Sequence, residues 1–287
     1  MNKLQMKAYA KINLALDVLG TLPNGYHEVR MIMQTVDIWD ELSFEKTETG
    51  IVITTDSGEL PTDENNLIYK AVKLMQEEFA NPGGVRIHLR KNIPIAAGMA
   101  GGSTDAAAAM KGFNELYELG AQTERLRELG VCIGADVPYC VMGGTALAEG
   151  IGEKLTGLPD APQCTLVVVK PDLNVSTKEV YTRLDAMADV EHPDIDGMIS
   201  AIENKDLAGV AKRLGNVLES VTMQLCPAIA DIRNCMKSHG ALGSLMSGSG
   251  PTVFGIFDDV SRAQAAADAI KGTPEMMVKQ SFITSFV

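Results

Sequence analysis

Residues 94–105 read Pro-Ile-Ala-Ala-Gly-Met-Ala-Gly-Gly-Ser-Thr-Asp and run directly into Ala106-Ala-Ala-Ala-Met110. Three glycines, Gly98, Gly101 and Gly102, lead into a stretch of the strongest helix former. Glycine lets the backbone turn through positive φ and lets a ligand approach the main chain closely. Ser103, Thr104 and Asp105 are all types that cap a helix N-terminus. The first amides of such a helix have no internal partner, and the helix dipole adds about half a positive charge there. This combination predicts an anion site, typically for phosphate. The plain alternative is a tight strand-to-helix connection packed with small residues. Two known phosphate loops are excluded: the nearest downstream lysine is Lys111, too far for Gly-Lys-Ser/Thr, and Ala100 stands where the dinucleotide pattern needs glycine. A loop without its own lysine needs its phosphates neutralised by Mg²⁺ and by a lysine from elsewhere.

Further residues with chemical potential lie before and after this loop. From Met6 to Leu16 apolar residues alternate with Lys7, Tyr9, Lys11 and Asn13, which predicts a strand with one buried face. Lys11 and Asn13 share one side of it, one pleat apart; periodicity alone makes both solvent-facing. Thr21-Leu-Pro-Asn-Gly25 reads as a turn, and Tyr26 and His27 leave it, placed either to pack or to face a ligand. In Gly134-Ala-Asp-Val-Pro138, Asp136 has the position of a helix N-cap. Ser247-Gly-Ser-Gly-Pro251 is a second glycine loop, either a hairpin turn or a lid on the first.

The elements that must hold these residues follow from the hydrophobic pattern. Val36–Lys46 and Ile51–Thr55 predict strands. Asn65 and Asn66 cap a helix with the stripe Leu67, Ile68, Val72, Leu74, Met75 and Phe79. Val85, Ile87 and Leu89 alternate with Arg86, His88 and Arg90, so a strand feeds the glycine loop. The alanine-rich helix is followed by another over Thr123–Leu129 and a short strand over Thr145–Glu149. Leu158-Pro-Asp-Ala-Pro162 reads as a linker, which divides the chain into 1–160 and 161–287. Beyond it come a buried strand, Cys164–Val169, and helices over Thr177–Met187, Asp194–Glu203 and Leu207–Leu218. Another helix starts after Pro227. Strands over Pro251–Phe257 and Val278–Phe286 flank a helix over Ser261–Lys271. The second half is thus an α+β layer with helices on one face of an antiparallel sheet.

Composition narrows the function classes. With 287 residues, 46% hydrophobic and 22% charged, the chain has the make-up of a soluble globular protein. A net charge of −12 argues against nucleic acid or an anionic membrane as partner, since Lys and Arg dominate binding to both. The five cysteines never form a Cys-x-x-Cys pair and read as reduced, mostly buried thiols of a cytoplasmic protein. The four histidines have no metal-ligand spacing. No apolar run reaches membrane-spanning length, and Lys11 interrupts the one candidate N-terminal signal core.

Three segments together carry a family resemblance. Lys7-Ala-Tyr-Ala-Lys-Ile-Asn-Leu-Ala-Leu16, the loop from Pro94 to Asp105, and Gly243-Ser-Leu-Met-Ser-Gly-Ser-Gly-Pro-Thr252 resemble, in order and spacing, the three motifs of the GHMP kinases. Gly25-Tyr-His-Glu28 and Gly134-Ala-Asp-Val-Pro138 narrow the likeness to the branch acting on 4-diphosphocytidyl-2-C-methyl-D-erythritol. Ala100 replaces a glycine common in the family loop, and Met99 a common leucine. The Gly-Glu-His element of the galactokinase and mevalonate kinase types is absent.

The resemblance implies a two-domain α+β fold, its second domain ferredoxin-like and on the substrate side, with the active site in the interdomain cleft. It implies ATP bound on Pro94, Ile95, Ala96, Ala97, Gly98, Met99, Ala100, Gly101, Gly102, Ser103 and Thr104. The reaction would be phosphorylation of the C2 hydroxyl of the cytidine diphosphate-linked methylerythritol, a step of non-mevalonate isoprenoid precursor synthesis. Asp136 would be the base and Lys11 its cationic partner. Asn13, Tyr26 and His27 would line the substrate side, with Tyr181 stacking on the cytosine. Phosphoryl transfer needs positioning and electrostatic stabilisation, which Lys11 and Mg²⁺ on the Ser103 hydroxyl would supply. Two alternatives stay open at this level: a relative acting on another small alcohol, and a non-catalytic nucleotide-binding protein on the same scaffold. Keeping both Lys11 and Asp136 argues against the second, and the Tyr26-His27 pair against the first.

Overall fold

The computed structural model describes every residue except Met1, Asn24, Asn81 and Ala188. The predicted turn at 21–25 therefore lies in part outside the described residues. The chain forms two compact units. One comprises Met1–Ala10, Ile38–Ile95 and Ala100–Gly143; the other comprises Lys11–Asp37, Ala96–Met99 and Gly144–Val287. Two long strands, β1 (Lys3–Thr21) and β2 (His27–Thr47), contribute residues to each.

In the first unit the strand order is β3–β4–β2–β1, with β3 at Ile51–Thr55 and β4 at Gly84–Arg90. β4 runs antiparallel to β2 and parallel to β3. Its buried Val85, Ile87 and Leu89 and exposed Arg86, His88 and Arg90 follow the alternation in the sequence. Helices α1 (Leu67–Glu78) and α2 (Gly101–Tyr117) pack on the sheet and on each other. The Asn66 side chain caps α1 by accepting from the Ile68 amide at 2.8 Å. Small side chains let α2 approach closely: a Cβ at Gly112 would lie 2.4 Å from the Phe44 ring. Ile68, Val72, Met75, Phe113 and Leu116 fill the space between. α3 (Thr123–Val131) and α4 (Val137–Met142) pack together beside α2.

The second unit contains a mixed sheet in which β1 lies between β2 and β8 (Gly215–Asn216). β5 (Thr145–Glu149) pairs with β2, and β6 (Lys154–Gly157) pairs with β5 across the Gly150–Gly152 turn. A four-stranded antiparallel sheet has the order β11–β7–β10–β9, from Val278–Thr284, Thr165–Pro171, Val253–Phe257 and Gly243–Met246. α9 (Ala228–Ser238) and α10 (Val260–Lys271) pack against it, burying Ile229, Ile232, Met236, Ala263 and Ile270. The remaining helices are α5 (Thr177–Leu184), α6 (Ile195–Glu203), α7 (Leu207–Lys212) and α8 (Glu219–Leu225). The mixed α+β class read from the sequence holds.

Several sequence expectations need correction. β2 begins at His27 rather than Val36, because Met31–Val36 are buried on both faces and show no alternation. The helix expected over Leu207–Leu218 ends at Lys212. There Asn216 donates to the Met246 and Gly248 carbonyls and accepts from the Leu218 amide, backbone partners that do not continue the helix. The thiols are free, but Cys226 alone is buried, so "mostly buried" does not hold.

Candidate active site

The glycine loop sits where β4 ends and α2 begins, and its backbone is unusual. Ala96, Gly98 and Ala100 have φ of 50°, 71° and 57°, all left-handed. This winding brings the chain into α2 at Gly101, with Ala100 as N-cap and no side-chain capping bond. Ser103, Thr104 and Asp105 thus lie inside the helix and do not cap it, which corrects the sequence reading. Thr104 instead donates from its hydroxyl to the Tyr9 carbonyl at 2.6 Å. The leading amides of α2 are left to an external acceptor, the arrangement that favours phosphate.

Within the second unit, residues 96–99 meet β1 and the loop joining β9 to β10. Lys11 and Asn13 are buried, 6% and 0% exposed, not solvent-facing as their alternation suggests. The Lys11 amide donates to the Met99 carbonyl at 3.2 Å, and its Nζ to Asn13 Oδ1 at 2.8 Å. Asn13 Nδ2 points to Met31 Sδ at 3.2 Å. Ser247 donates to the Gly98 carbonyl at 3.0 Å. The Ser247–Pro251 segment is therefore both things the sequence allowed. It is the hairpin turn between β9 and β10, closed by Ser247 N to Thr252 O at 2.9 Å, and a clasp on the first loop.

In the first unit, Asp136 occupies the N-cap position of α4, yet its side chain makes no capping bond to that helix. Ser103 Oγ lies 3.9 Å from where a Gly134 Cβ would be, so the Ser103 hydroxyl borders the turn that carries Asp136. Beneath α2, Lys91 bridges two buried carboxylates, Asp40 and Asp105, the latter at 3.0 Å. Asp40 also accepts from the Asn92 and Ile93 amides, just ahead of the loop. Burial pushes the Asp105 carboxyl up to about 8, against the pull of Lys91 and aided by the neighbouring Asp40 charge. Asp105 therefore holds a proton at neutral pH.

A separate cluster in the second unit gathers His27, Tyr181 and Asp185. The His27 and Tyr181 ring centroids are 4.5 Å apart, tilted by 37°. His27 Nε2 lies 2.8 Å from Asp185 Oδ1. Tyr26, next to His27, is 58% exposed.

Comparison with known proteins places this geometry. The description "GHMP kinases N terminal domain" matches residues 66–144, and "GHMP kinases C terminal" matches residues 198–274. The 4-diphosphocytidyl-2-C-methyl-D-erythritol kinase of Lachnospira eligens is 57% identical over 260 residues, 90% of each chain. The kinase of the same name from Lachnoclostridium phytofermentans is 52% identical over 287 residues, 100% of this chain and 98% of the relative. The chain belongs to the GHMP kinases. A crystal structure of 4-(cytidine 5'-diphospho)-2C-methyl-D-erythritol kinase superposes with a TM-score of 0.83 at 31% identity, covering 99% of both chains. The homoserine kinase of Cytophaga hutchinsonii superposes at 0.77 with 20% identity, a likeness of fold alone.

As a GHMP kinase, the chain keeps a donor-rich, lysine-free loop suited to a nucleotide phosphate. Among the described residues no group of three or more His, Cys, Asp or Glu could hold a metal ion. A magnesium ion arriving on phosphate oxygens fits such a site, because Mg²⁺ retains waters and needs few protein ligands. Ser103 offers a hard hydroxyl oxygen at the loop's exit. Among the described residues no helix is long and apolar enough to cross a membrane. Sequence reading missed Asp185 and the Lys91–Asp40–Asp105 bridge. Asp185 had a usable signal, since it follows Tyr181 by four residues, one helical turn. The bridge joins positions distant in sequence and had none.

Proposed function

We infer that this GHMP kinase transfers the γ-phosphoryl group of ATP to the C2 hydroxyl of 4-diphosphocytidyl-2-C-methyl-D-erythritol, a step in non-mevalonate isoprenoid precursor biosynthesis. The observation that carries this is likeness over 100% and 90% of the chain, at 52% and 57% identity, to two kinases named for that substrate. Residues Pro94–Thr104 would hold ATP, with the free backbone amides among them, not side chains, facing the phosphates, since Ala97, Met99 and Thr104 bury their side chains. Mg²⁺ would supply charge neutralisation for those phosphates, held on the protein side by Ser103. Asp136, on the turn that leads into α4 and is bordered by the Ser103 hydroxyl, takes the proton of the attacking hydroxyl. Lys11 stabilises negative charge as the bond to phosphorus forms, and Asn13 holds its ammonium in place. Tyr26, His27 and Tyr181 form the wall that reads the cytosine. A division near residue 160 is supported by one matched family region lying on either side of it. The enzyme is cytoplasmic in this reading and works on a small molecule, without nucleic acid or membrane as partner.

A coupled ADP-release assay with a panel of acceptors tests the reading. Turnover with 4-diphosphocytidyl-2-C-methyl-D-erythritol should exceed that with homoserine or mevalonate by orders of magnitude. Equal or better turnover with an acceptor carrying no nucleotide would overturn it.

A further inference from the structure

We propose that Asp185 is a specificity-determining positioning residue: by accepting the Nε2 proton of His27, it fixes the ring tautomer that distinguishes cytosine from uracil. The proposal rests on reading His27 as the residue that faces the nucleobase. An ionised carboxylate can only accept hydrogen bonds. At 2.8 Å from Asp185 Oδ1, His27 Nε2 must therefore be the protonated nitrogen. In the neutral ring Nδ1 is then an acceptor, a link set by the partner of the opposite nitrogen.

The positions of both partners are fixed by local structure. Asp185 is the C-cap residue of α5, and its amide donates to the Tyr181 carbonyl at 3.0 Å. Tyr181 lies one turn earlier, and its ring rests 4.5 Å from the imidazole. One helix end thus holds the His27 ring by its face and by its Nε2 edge. Asp185 is itself about half exposed, at 47%, and exposed ion pairs contribute little stability. Its effect falls on orientation and protonation pattern, not on folding.

An acceptor at Nδ1 suits the exocyclic amine of cytosine, a donor. Uracil presents a keto oxygen there, setting lone pair against lone pair. A site built to pair a substrate donor discriminates strongly against an analogue lacking it, because the buried partner is left unsatisfied.

The test compares kcat/KM for 4-diphosphocytidyl-2-C-methyl-D-erythritol and its uridine analogue at pH 8, in wild type, Asp185→Ala and His27→Ala. Wild type should prefer cytidine by at least about ten-fold. Asp185→Ala should bring that ratio close to the His27→Ala value, with the KM for ATP unchanged and the melting temperature within about a degree, as for a surface substitution. Nitrogen-15 NMR should show His27 as the Nε2–H tautomer in wild type and as a mixture in Asp185→Ala. If the ratio falls in His27→Ala but persists in Asp185→Ala, Asp185 has no such role while His27 still reads the base. If wild type shows no preference, the assignment of His27 fails and this proposal with it. An Nδ1–H tautomer in the wild-type protein would overturn the proposal outright.

Discussion

Gly98→Ala is the sharpest test of how the two glycine loops hold each other. Gly98 has a φ of 71°, where an L-residue costs roughly 1–2 kcal/mol more than glycine. A Cβ there would lie 2.3 Å from the Ser247 carbonyl oxygen and 3.2 Å from the Gly250 nitrogen. Both obstacles are backbone, and neither can rotate away as a side chain would. The Ser247 segment is further restrained by its bonds to Gly98 O and Thr252 O. Overpacking of this kind adds roughly 1–3 kcal/mol. The sum is roughly 2–5 kcal/mol, or about 5–15 °C in melting temperature for a chain of this size. Moving the Ser247 clasp also displaces residues 96–99, so affinity for a non-hydrolysable ATP analogue should fall more than about ten-fold, a loss of about 1.4 kcal/mol. Ala100→Gly is the control with the opposite sign. It replaces an alanine already at a φ of 57° and should stabilise by about 1 kcal/mol. Melting curves and calorimetric titrations of the two variants decide the matter. A Gly98→Ala protein that melts and binds like wild type would refute the argument that the loops are locked by backbone contact.

Three further outcomes follow from the site. Asp136→Asn should lower kcat by about 10²–10⁴-fold with little change in ATP affinity, as steady-state kinetics and titration would show; near-normal turnover would reduce Asp136 to a structural position. Lys11→Met should lower kcat more than it raises either KM, because its charge matters most where negative charge develops; a rise in KM alone would make it a ground-state clamp. The folded protein keeps the Asp105 proton up to about pH 8, whereas the unfolded chain releases it near its ordinary 3.8. Stability should therefore decline as pH rises between those values, by at most about 1.4 kcal/mol per pH unit, and level off above. Asp105→Asn should flatten that limb in denaturant titrations run from pH 5 to 9, and an unchanged slope would assign the proton elsewhere.

What the sequence made legible was set by local chemistry. The glycine loop was readable because only glycine and a few small residues tolerate its winding, and the alanine run after it because of its composition. β4 was readable because one face is buried and the other wet. β6, β8, α8 and β9 went unread for opposite reasons. The strands are too short for a period to register, and α8 is a seven-residue helix whose Glu219 is buried against Arg233 where a surface carboxylate would be expected. Lys11 and Asn13 show the limit of periodicity. Their alternation is that of an exposed strand face, and only the packing of the Met99 and Met31 segments against it buries them. The capping expectation failed because Ala100 adopts a conformation that its residue type does not advertise.

The pairing of β2 with residues 285–287 bears on how the chain reaches its native state during synthesis. Val36 bridges Phe286, Ser285 accepts from the Asp37 amide, and Val287 donates to Thr35. The Gln34 side chain meets Val287 across 253 residues of sequence. A ribosome emitting the chain exposes this stretch of β2 until residues 285–287 emerge, at 5–20 residues per second roughly 10–60 s later. Contacts of such separation form late, because a large loop must close before they return any stabilisation. Until then residues 34–37, Gln-Thr-Val-Asp, are a strand segment whose backbone groups lack their last partner, the kind of open edge that pairs wrongly when left alone. Substitutions at Phe286 should therefore show more strongly in the yield of soluble protein made in cells than in the activity of whatever folds.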